Sequence, residues 1–380
     1  MTGEDRPQRR RPLPPLRTGE SLLPEATDVL AERAFGAESR ARMLADYFAS
    51  AGEVTPANAW IHVYRLLLWI DPTTALAHCY ESDKAQPGRP WYARSLAFHA
   101  WAARSLGTTS AALIEQIDWL FKRGTELLAA VMERQMAARA ARIASQREPY
   151  ASESIPEPGQ DPGLESMVRE ELAPYFLEQP PADRFRRLTQ RIRAHLAQEN
   201  KRKNLVGEGF EDVLASVIHR LDGAESLVVR TRSPLSQLPG FREPPDGEKE
   251  KKVDLAILGP RDSRILVGAK WSVRADREEQ FSSDFEAYAR LESGGRDFDF
   301  VLVTNEFDAA RIAAACERRR QNANLFSAVV HVNPDGLAAA YGTSGRGAAL
   351  RLSEYRLMGR LLSLEEWLAS VLRRAPGPQT

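Results

Sequence analysis

The chain has 380 residues, of which 43% are hydrophobic and 27% charged, and its 52 basic residues balance its 52 acidic ones. This length allows two domains with buried cores, and the zero net charge does not by itself indicate a polyanionic partner. Two cysteines, Cys79 and Cys316, lie far apart and argue against a disulfide framework or a structural zinc site. The Arg/Pro-rich start lacks the apolar core of a signal peptide, and no apolar run is long enough to cross a bilayer. We therefore expect a cytoplasmic protein with no membrane partner.

The first half of the chain has a helical pattern. Residues 1–18 combine arginine and proline without apolar periodicity, which predicts a disordered basic tail. Apolar residues at three- and four-residue spacings then predict a helical N-terminal domain over 19–146. Its predicted helices cover 26–35, 59–70, 91–106 and 110–144. A Pro/Gly/Glu-rich stretch, 147–163, interrupts the pattern and is the predicted linker.

The second domain, 164–380, changes from helices to alternating strands and helices. Two helices, 164–176 and 182–204, come first. The predicted strands cover 226–231, 253–259, 264–270, 298–304 and 326–332. Helices are predicted over 207–221, 277–291, 306–320 and 363–374, the last beginning with a Ser363/Glu366 capping box. This order predicts an α/β core, a mixed sheet flanked by helices, preceded by an all-α N-terminal domain.

Two neighbouring strands carry a carboxylate and a lysine that a hairpin brings together. Asp254 stands between apolar residues, where a carboxylate is costly to bury unless it is paired or binds a cation. The next strand ends at Lys270, and the turn between the strands places the two side chains at one end of the hairpin. An oxygen ligand for magnesium beside a cation that positions water suits phosphodiester hydrolysis. A surface ion pair between the two residues is the alternative.

A single carboxylate is a poor magnesium site, so a second acid is expected nearby. The position two before the lysine, where the pattern D…(D/E)xK would place it, is Gly268. The following helix offers Glu278, Glu279, Asp284 and Glu286. Asp284 is the preferred candidate, because it falls on the helix that would pack back against the strand end carrying Lys270.

An R-x-D-R tetrad follows the lysine directly. Arg274 and Arg277 flank Asp276 at the entry to a helix, from which side chains can project into a DNA major groove. Arginines bind guanine O6 and N7 bidentately, and an aspartate accepts from the cytosine amino group, so the tetrad suits G·C pairs. A self-contained Arg/Asp surface cluster is the alternative.

The segment "KWSVRADR", followed by an acid fourteen positions after the lysine, resembles the active-site and recognition block of type II restriction endonucleases that read CCGG, within the PD-(D/E)xK superfamily. The resemblance covers residues 200 to 335 and implies a restriction-endonuclease-like core in 164–380. It implies that Asp254 and Asp284 hold Mg²⁺ and that Lys270 is catalytic. Arg274, Asp276 and Arg277 would read the CCGG bases. The segment "NLVGEGFEDVL" is similar to the first core helix of these enzymes, where Glu211, or Glu208, would help hold a second metal ion.

The resemblance implies Mg²⁺-dependent hydrolysis of both strands of duplex DNA at a palindromic site containing CCGG. Cleavage before the first C would leave 5′ overhangs. A palindrome read by two copies of the tetrad requires at least a homodimer, and some members are tetramers. A cognate DNA methyltransferase is expected in the same host without being a physical partner. The alternatives are a structure-specific repair or junction nuclease of the same superfamily and a catalytically inactive DNA-binding protein.

Overall fold

The structure is a computed structural model that contains a six-stranded sheet and helices on either side of it in the chain. The residues it describes are 32–70, 77–78, 90–130, 145, 162–172, 184, 188–189, 192, 205–260, 262–273, 278–295, 297–320, 322–342 and 348–375. The chain divides into two compact units, one of residues 1–32 and 132–196 and one of residues 33–131 and 197–380. The sheet and all but one of the described helices belong to the second unit.

A mixed sheet of six strands forms the centre of the second unit. The strands are β1 (Val228–Pro234), β2 (Lys252–Leu258), β3 (Arg264–Lys270), β4 (Asp299–Thr304), β5 (Ala328–His331) and β6 (Leu361–Ser363). They lie side by side in chain order. The pairs β1/β2 and β2/β3 are antiparallel, and the three following pairs are parallel. Strand β3 is therefore antiparallel to β2 on one side and parallel to β4 on the other.

Helices occupy the connections between the parallel strands and most of the described residues that precede β1. In chain order they are α1 (Ala37–Ser50), α2 (Ala59–Leu67), α3 (Pro90–Ser105), α4 (Ser110–Gln116), α5 (119–130), α6 (Pro162–Leu172, in the first unit), α7 (205–218), α8 (Glu278–Leu291), α9 (Ala309–Glu317), α10 (Pro334–Tyr341), α11 (Ala348–Leu357) and α12 (Leu364–Arg374). Short two-stranded pairings join Trp69–Ile70 to Ala77–His78 and Arg319–Arg320 to Ala323–Asn324.

The α/β prediction for the core is confirmed at the level of a mixed sheet with helices. The β2–β3 hairpin is present, closed by a turn in which the Gly259 amide donates to the Ser263 carbonyl over 2.8 Å. The capping box at Ser363 and Glu366 is also confirmed. Burial explains why such strands are predictable from an apolar run: every residue of β3 except the last is buried.

Other predicted elements differ from the structure. The helix expected over 110–144 is broken at Ile117–Asp118, where Asp118 has a φ of 67°, and α5 begins after the break. The helix expected over 59–70 ends at Leu67, and the next residues form a short strand. Strand β6 and helices α10 and α11 were not predicted; β6 has only three residues, too few for a recognisable pattern.

The helices of the first half share a core with the sheet. The ring of Phe98 in α3 packs edge-on against Phe307 after β4, with centroids 4.5 Å apart. The Tyr64 hydroxyl of α2 donates to Asn305 Oδ1 over 3.0 Å. Residues 33–131 and 197–380 accordingly form one compact unit. The predicted boundary within 147–163 lies outside the described residues except for Pro162 and Gly163, which begin α6.

Several predicted segments lie outside the residues described: the basic tail 1–18, most of the helix 182–204, and the recognition tetrad at Arg274, Asp276 and Arg277. Among the described helices, none combines the length and the apolar character needed to cross a membrane.

Candidate active site

Asp254 and Lys270 lie side by side at the open end of the β2–β3 hairpin. Lys270 Nζ is 2.6 Å from Asp254 Oδ2, and the Ala269 amide donates to the same oxygen over 3.0 Å. The lysine side chain is 29% exposed and the aspartate side chain 24%. The hairpin thus places a carboxylate and an ammonium together where solvent can still reach both.

The strand register explains this meeting. Leu255 pairs with Val267 across β2 and β3, and continuing the register by one residue places Asp254 opposite Gly268. On the other side of β2, Arg232 falls between the paired positions Thr231 and Ser233 and so lies opposite Asp254. Arg232 of β1, Asp254 of β2 and Gly268 of β3 therefore lie opposite one another on three neighbouring strands.

Asp284 comes from α8, which packs over the glycine of β3. A Cβ added to Gly268 would meet the Phe281 ring at 3.8 Å, an ordinary contact distance. Phe281 and Asp284 are three residues apart and share a face of the helix. Asp284 Oδ1 lies 2.7 Å from Lys251 Nζ, and its side chain is 18% exposed. The acid on the helix is thus close to the strand that delivers Asp254, although it is paired with a different lysine.

Tyr288 on α8 lies near both aspartates. Burial is the main cause that raises the pKa of its hydroxyl, and the negative charges of Asp284 and Asp254 raise it further. The structure therefore brings both predicted metal ligands within electrostatic range of one buried tyrosine. It does not place them in a closed metal site, because among the described residues no three or more Asp, Glu, His or Cys side chains are grouped closely enough to hold a metal ion.

Glu211 on α7 is a further acid beside the hairpin. Its side chain is buried, and Arg232 Nη1 donates to Oε2 over 2.8 Å. Burial raises the pKa of Glu211 to about 7, the charge of Asp254 raises it as well, and Arg232 and Lys270 oppose the rise. Arg232 lies opposite Asp254 across β1 and β2 and binds Glu211, which therefore lies beside the hairpin. A carboxyl that retains its proton near neutral pH indicates that burial and the neighbouring acid outweigh the cations around it.

Glu208, the alternative to Glu211, lies in a different setting. Its carboxylate is 2.7 Å from Arg40 Nη2 of α1, and its side chain is 53% exposed. Arg40 also binds Asp212 Oδ2 over 2.7 Å, while Arg232 binds Asp212 Oδ1 over 2.5 Å. A chain of ion pairs therefore runs from α1 through α7 to β1, and it holds the helix that carries Glu211 in place.

The donor set is compatible with a hard divalent cation. Carboxylate oxygens are the ligands that Mg²⁺ prefers, and it is commonly held by one or two carboxylates together with water and phosphate oxygens. The ion pairs of Asp254, Asp284 and Glu211 each use one oxygen of the carboxylate. A positive charge added nearby would lower the pKa of Glu211, against the effect of its burial.

Glu306 stands at the start of a predicted helix and was not predicted as a site residue. It is the second residue after β4, and its side chain is buried. Its Oε2 accepts from the Val273 amide over 2.8 Å and from the Ser272 hydroxyl over 2.9 Å, and its Oε1 accepts from the Asp308 amide over 2.7 Å. Glu306 thus fixes the chain just beyond Lys270. An acid two residues after a buried strand is the signal that could have identified it.

No protein-family model matches the sequence, and no curated protein matches it either. Any assignment of function therefore depends on the residues and their geometry, together with the resemblance to PD-(D/E)xK nucleases.

Proposed function

We propose that the protein is a Mg²⁺-dependent DNA endonuclease of the restriction type, with its active site at the end of the β2–β3 hairpin. The observation that carries the proposal is the contact of Lys270 Nζ with Asp254 Oδ2 over 2.6 Å at a partly exposed strand end. The helix acid Asp284 and the buried Glu211 lie in the same neighbourhood. The mixed sheet, with Asp254 and Lys270 together at the end of the hairpin, supports the resemblance to PD-(D/E)xK nucleases.

In the proposed reaction, a water molecule attacks the scissile phosphorus and the bond to the leaving oxygen breaks. A bound Mg²⁺ would supply Lewis-acid stabilisation of the charge that develops on the leaving oxygen. Asp254 and Asp284 would hold the ion. Lys270 orients the attacking water and offsets the charge of the phosphate, for which its position beside Asp254 is suited.

Sequence recognition is assigned to Arg274, Asp276 and Arg277, on the resemblance and on the chemistry of those side chains. The proposed substrate is duplex DNA with a palindromic site containing CCGG, cut before the first C. A two-fold symmetric site fits a homodimer or a tetramer.

The direct test is cleavage of a CCGG-containing duplex by the purified full-length protein with Mg²⁺. We expect Lys270→Ala to reduce the cleavage rate by about a thousandfold or more, since it removes a group that acts on the attacking water. Lys249→Ala is the control, because Lys249 is an exposed lysine of the same region and has no assigned role. It should cut at close to the wild-type rate.

Two outcomes favour the alternatives. If the wild type binds CCGG duplex but neither it nor the control cuts, the protein is an inactive DNA-binding protein. If the wild type cuts branched or damaged duplexes and leaves linear CCGG duplex intact, it is a structure-specific nuclease.

A further inference from the structure

The two aspartates of the candidate site each have a lysine partner, and only one of these lysines has a role in the proposed reaction. Lys270 pairs with Asp254 over 2.6 Å, and Lys251 pairs with Asp284 over 2.7 Å. The first lysine stands at the strand end where the water must be oriented. The second is bound to a proposed metal ligand, and the reaction assigns it no step.

Lys251 is held at its backbone, while its side chain is partly exposed to solvent. Its carbonyl accepts from the Leu235 amide over 2.9 Å, which fixes the main chain directly before β2. Its side chain is 39% exposed, compared with 18% for Asp284. A lysine is a compact, strongly hydrated charge on a flexible four-carbon stem, so its ammonium can leave for water while its backbone stays in place.

The ion pair of Lys251 with Asp284 is weak enough for a metal ion to replace the lysine. Ion pairs in contact with solvent contribute little to stability, and a carboxylate oxygen is a preferred ligand of a divalent cation. Without a metal ion, Lys251 offsets the charge of Asp284, a carboxylate whose side chain is only 18% exposed. With a metal ion bound, the same ammonium would add repulsion next to the ion.

We propose that Lys251 is a resident counter-ion of Asp284 that a divalent metal ion must displace, and that it thereby raises the metal concentration at which the site fills. The inference rests on the proposed function, because it takes Asp284 as a metal ligand. It assigns Lys251 a positioning role: the lysine holds Asp284 toward β2 until the metal ion replaces it.

The test is binding of Mn²⁺ to the full-length protein without DNA, followed by the electron paramagnetic resonance signal of the free ion. Lys251→Gln removes the charge and keeps most of the length of the side chain. We expect it to tighten Mn²⁺ binding about three- to tenfold, because the metal ion no longer competes with the ammonium. A gain on removing a side chain is a result that general damage to the fold does not produce.

Three further variants separate displacement at Asp284 from a general change of charge. Lys251→Arg keeps a cation at the position and should bind within about twofold of the wild type, as should Lys249→Gln at an exposed lysine two residues earlier. Asp284→Asn should weaken binding. In the double variant with Lys251→Gln, binding should be no tighter than in Asp284→Asn alone.

The inference is overturned if Lys251→Gln binds Mn²⁺ no more tightly than the wild type, or if its gain persists in the Asp284→Asn background. If Asp284→Asn weakens binding while Lys251→Gln gives no gain, the metal site stands and only the role of Lys251 fails. If the wild type and Lys251→Gln both bind no Mn²⁺, the metal site of the proposed function fails together with the inference.

Discussion

Two regions at the same end of the sheet hold acidic side chains in opposite ways. At the hairpin end, Asp254 and Asp284 are paired with lysine ammonium groups and remain partly exposed. One strand further on, after β4, Glu306 is 5% exposed and accepts from two backbone amides and a hydroxyl, while Arg311 lies at the longer distance of 3.6 Å from Oε2. The two regions are neighbours, because Lys270 pairs with Thr304 across β3 and β4.

This difference indicates which carboxylates can be released to bind a cation. A lysine side chain can move away and leave a carboxylate to bind a cation. A backbone amide cannot move away without disrupting the local fold, and amides bind both carboxylate oxygens of Glu306, whereas the Ala269 amide binds one oxygen of Asp254, Oδ2. The proposed metal binding therefore stays with Asp254 and Asp284, and Glu306 has a supporting role, because it fixes the path of the chain after Lys270.

The largest expected effect is on stability, at Glu306. Replacing Glu306 by Ala leaves the Val273 and Asp308 amides without their acceptor in a buried site, and we expect a loss of about 2–4 kcal/mol in the free energy of unfolding. Urea unfolding measures it. Glu306→Gln, which keeps an acceptor oxygen, should lose less. Glu279→Ala, at an exposed acid of α8, should stay within about 0.5 kcal/mol of the wild type. A Glu306→Ala variant as stable as the wild type would remove the distinction between the two regions.

The next effect is on the pH dependence of stability, at Glu211. Because the pKa of Glu211 is about 7 in the folded protein and 4.5 is its ordinary value, the folded state binds the proton more tightly. We therefore expect the free energy of unfolding to fall by up to about 3 kcal/mol as pH rises from about 4.5 to about 7, because the protonated acid stabilises the folded state. Glu211→Gln should flatten the dependence, as thermal unfolding across that range would show.

The control for this prediction is Glu208→Gln, one helical turn earlier on α7, where the side chain is 53% exposed. It should keep the pH dependence of the wild type. If Glu211→Gln keeps it too, the buried acid is not the group that couples stability to pH.

The smallest effect concerns base recognition. If Arg274 holds a guanine bidentately, Arg274→Ala should lose about 1–3 kcal/mol of discrimination between CCGG and a site with one changed base. Cleavage rates on the two duplexes measure it. Lys249→Ala should leave the ratio of the two rates unchanged. A ratio that is also unchanged in Arg274→Ala would remove this arginine from the recognition role.

The parts of the site that depend on strand pattern could be predicted from the sequence. The apolar runs around Asp254 and Lys270 identify two buried strands, and the short turn between them favours a hairpin, so their contact was predictable. The role of Asp284 as a metal ligand stays a prediction. The structure pairs its carboxylate with Lys251, three residues before Asp254 in the chain.

Other contacts depend on long-range packing that no local pattern encodes. Lys251 stands in a run of charged residues, and nothing in that run indicates which lysine meets Asp284, 33 residues later. Arg232 adopts a φ of 49° and binds Glu211 and Asp212 on another element. The packing of α1–α3 on the sheet likewise comes from buried residues such as Tyr64 and Phe98, whose partners lie more than 200 positions away.

The most direct test of the central claim is to digest genomic DNA with the purified protein and Mg²⁺ and to sequence the fragment ends. We expect all ends to derive from one palindromic site containing CCGG, with 5′ overhangs that begin before the first C, and we expect Lys270→Ala to produce none. Fragment ends without a common sequence, or equal cutting by Lys270→Ala, would contradict the proposed activity.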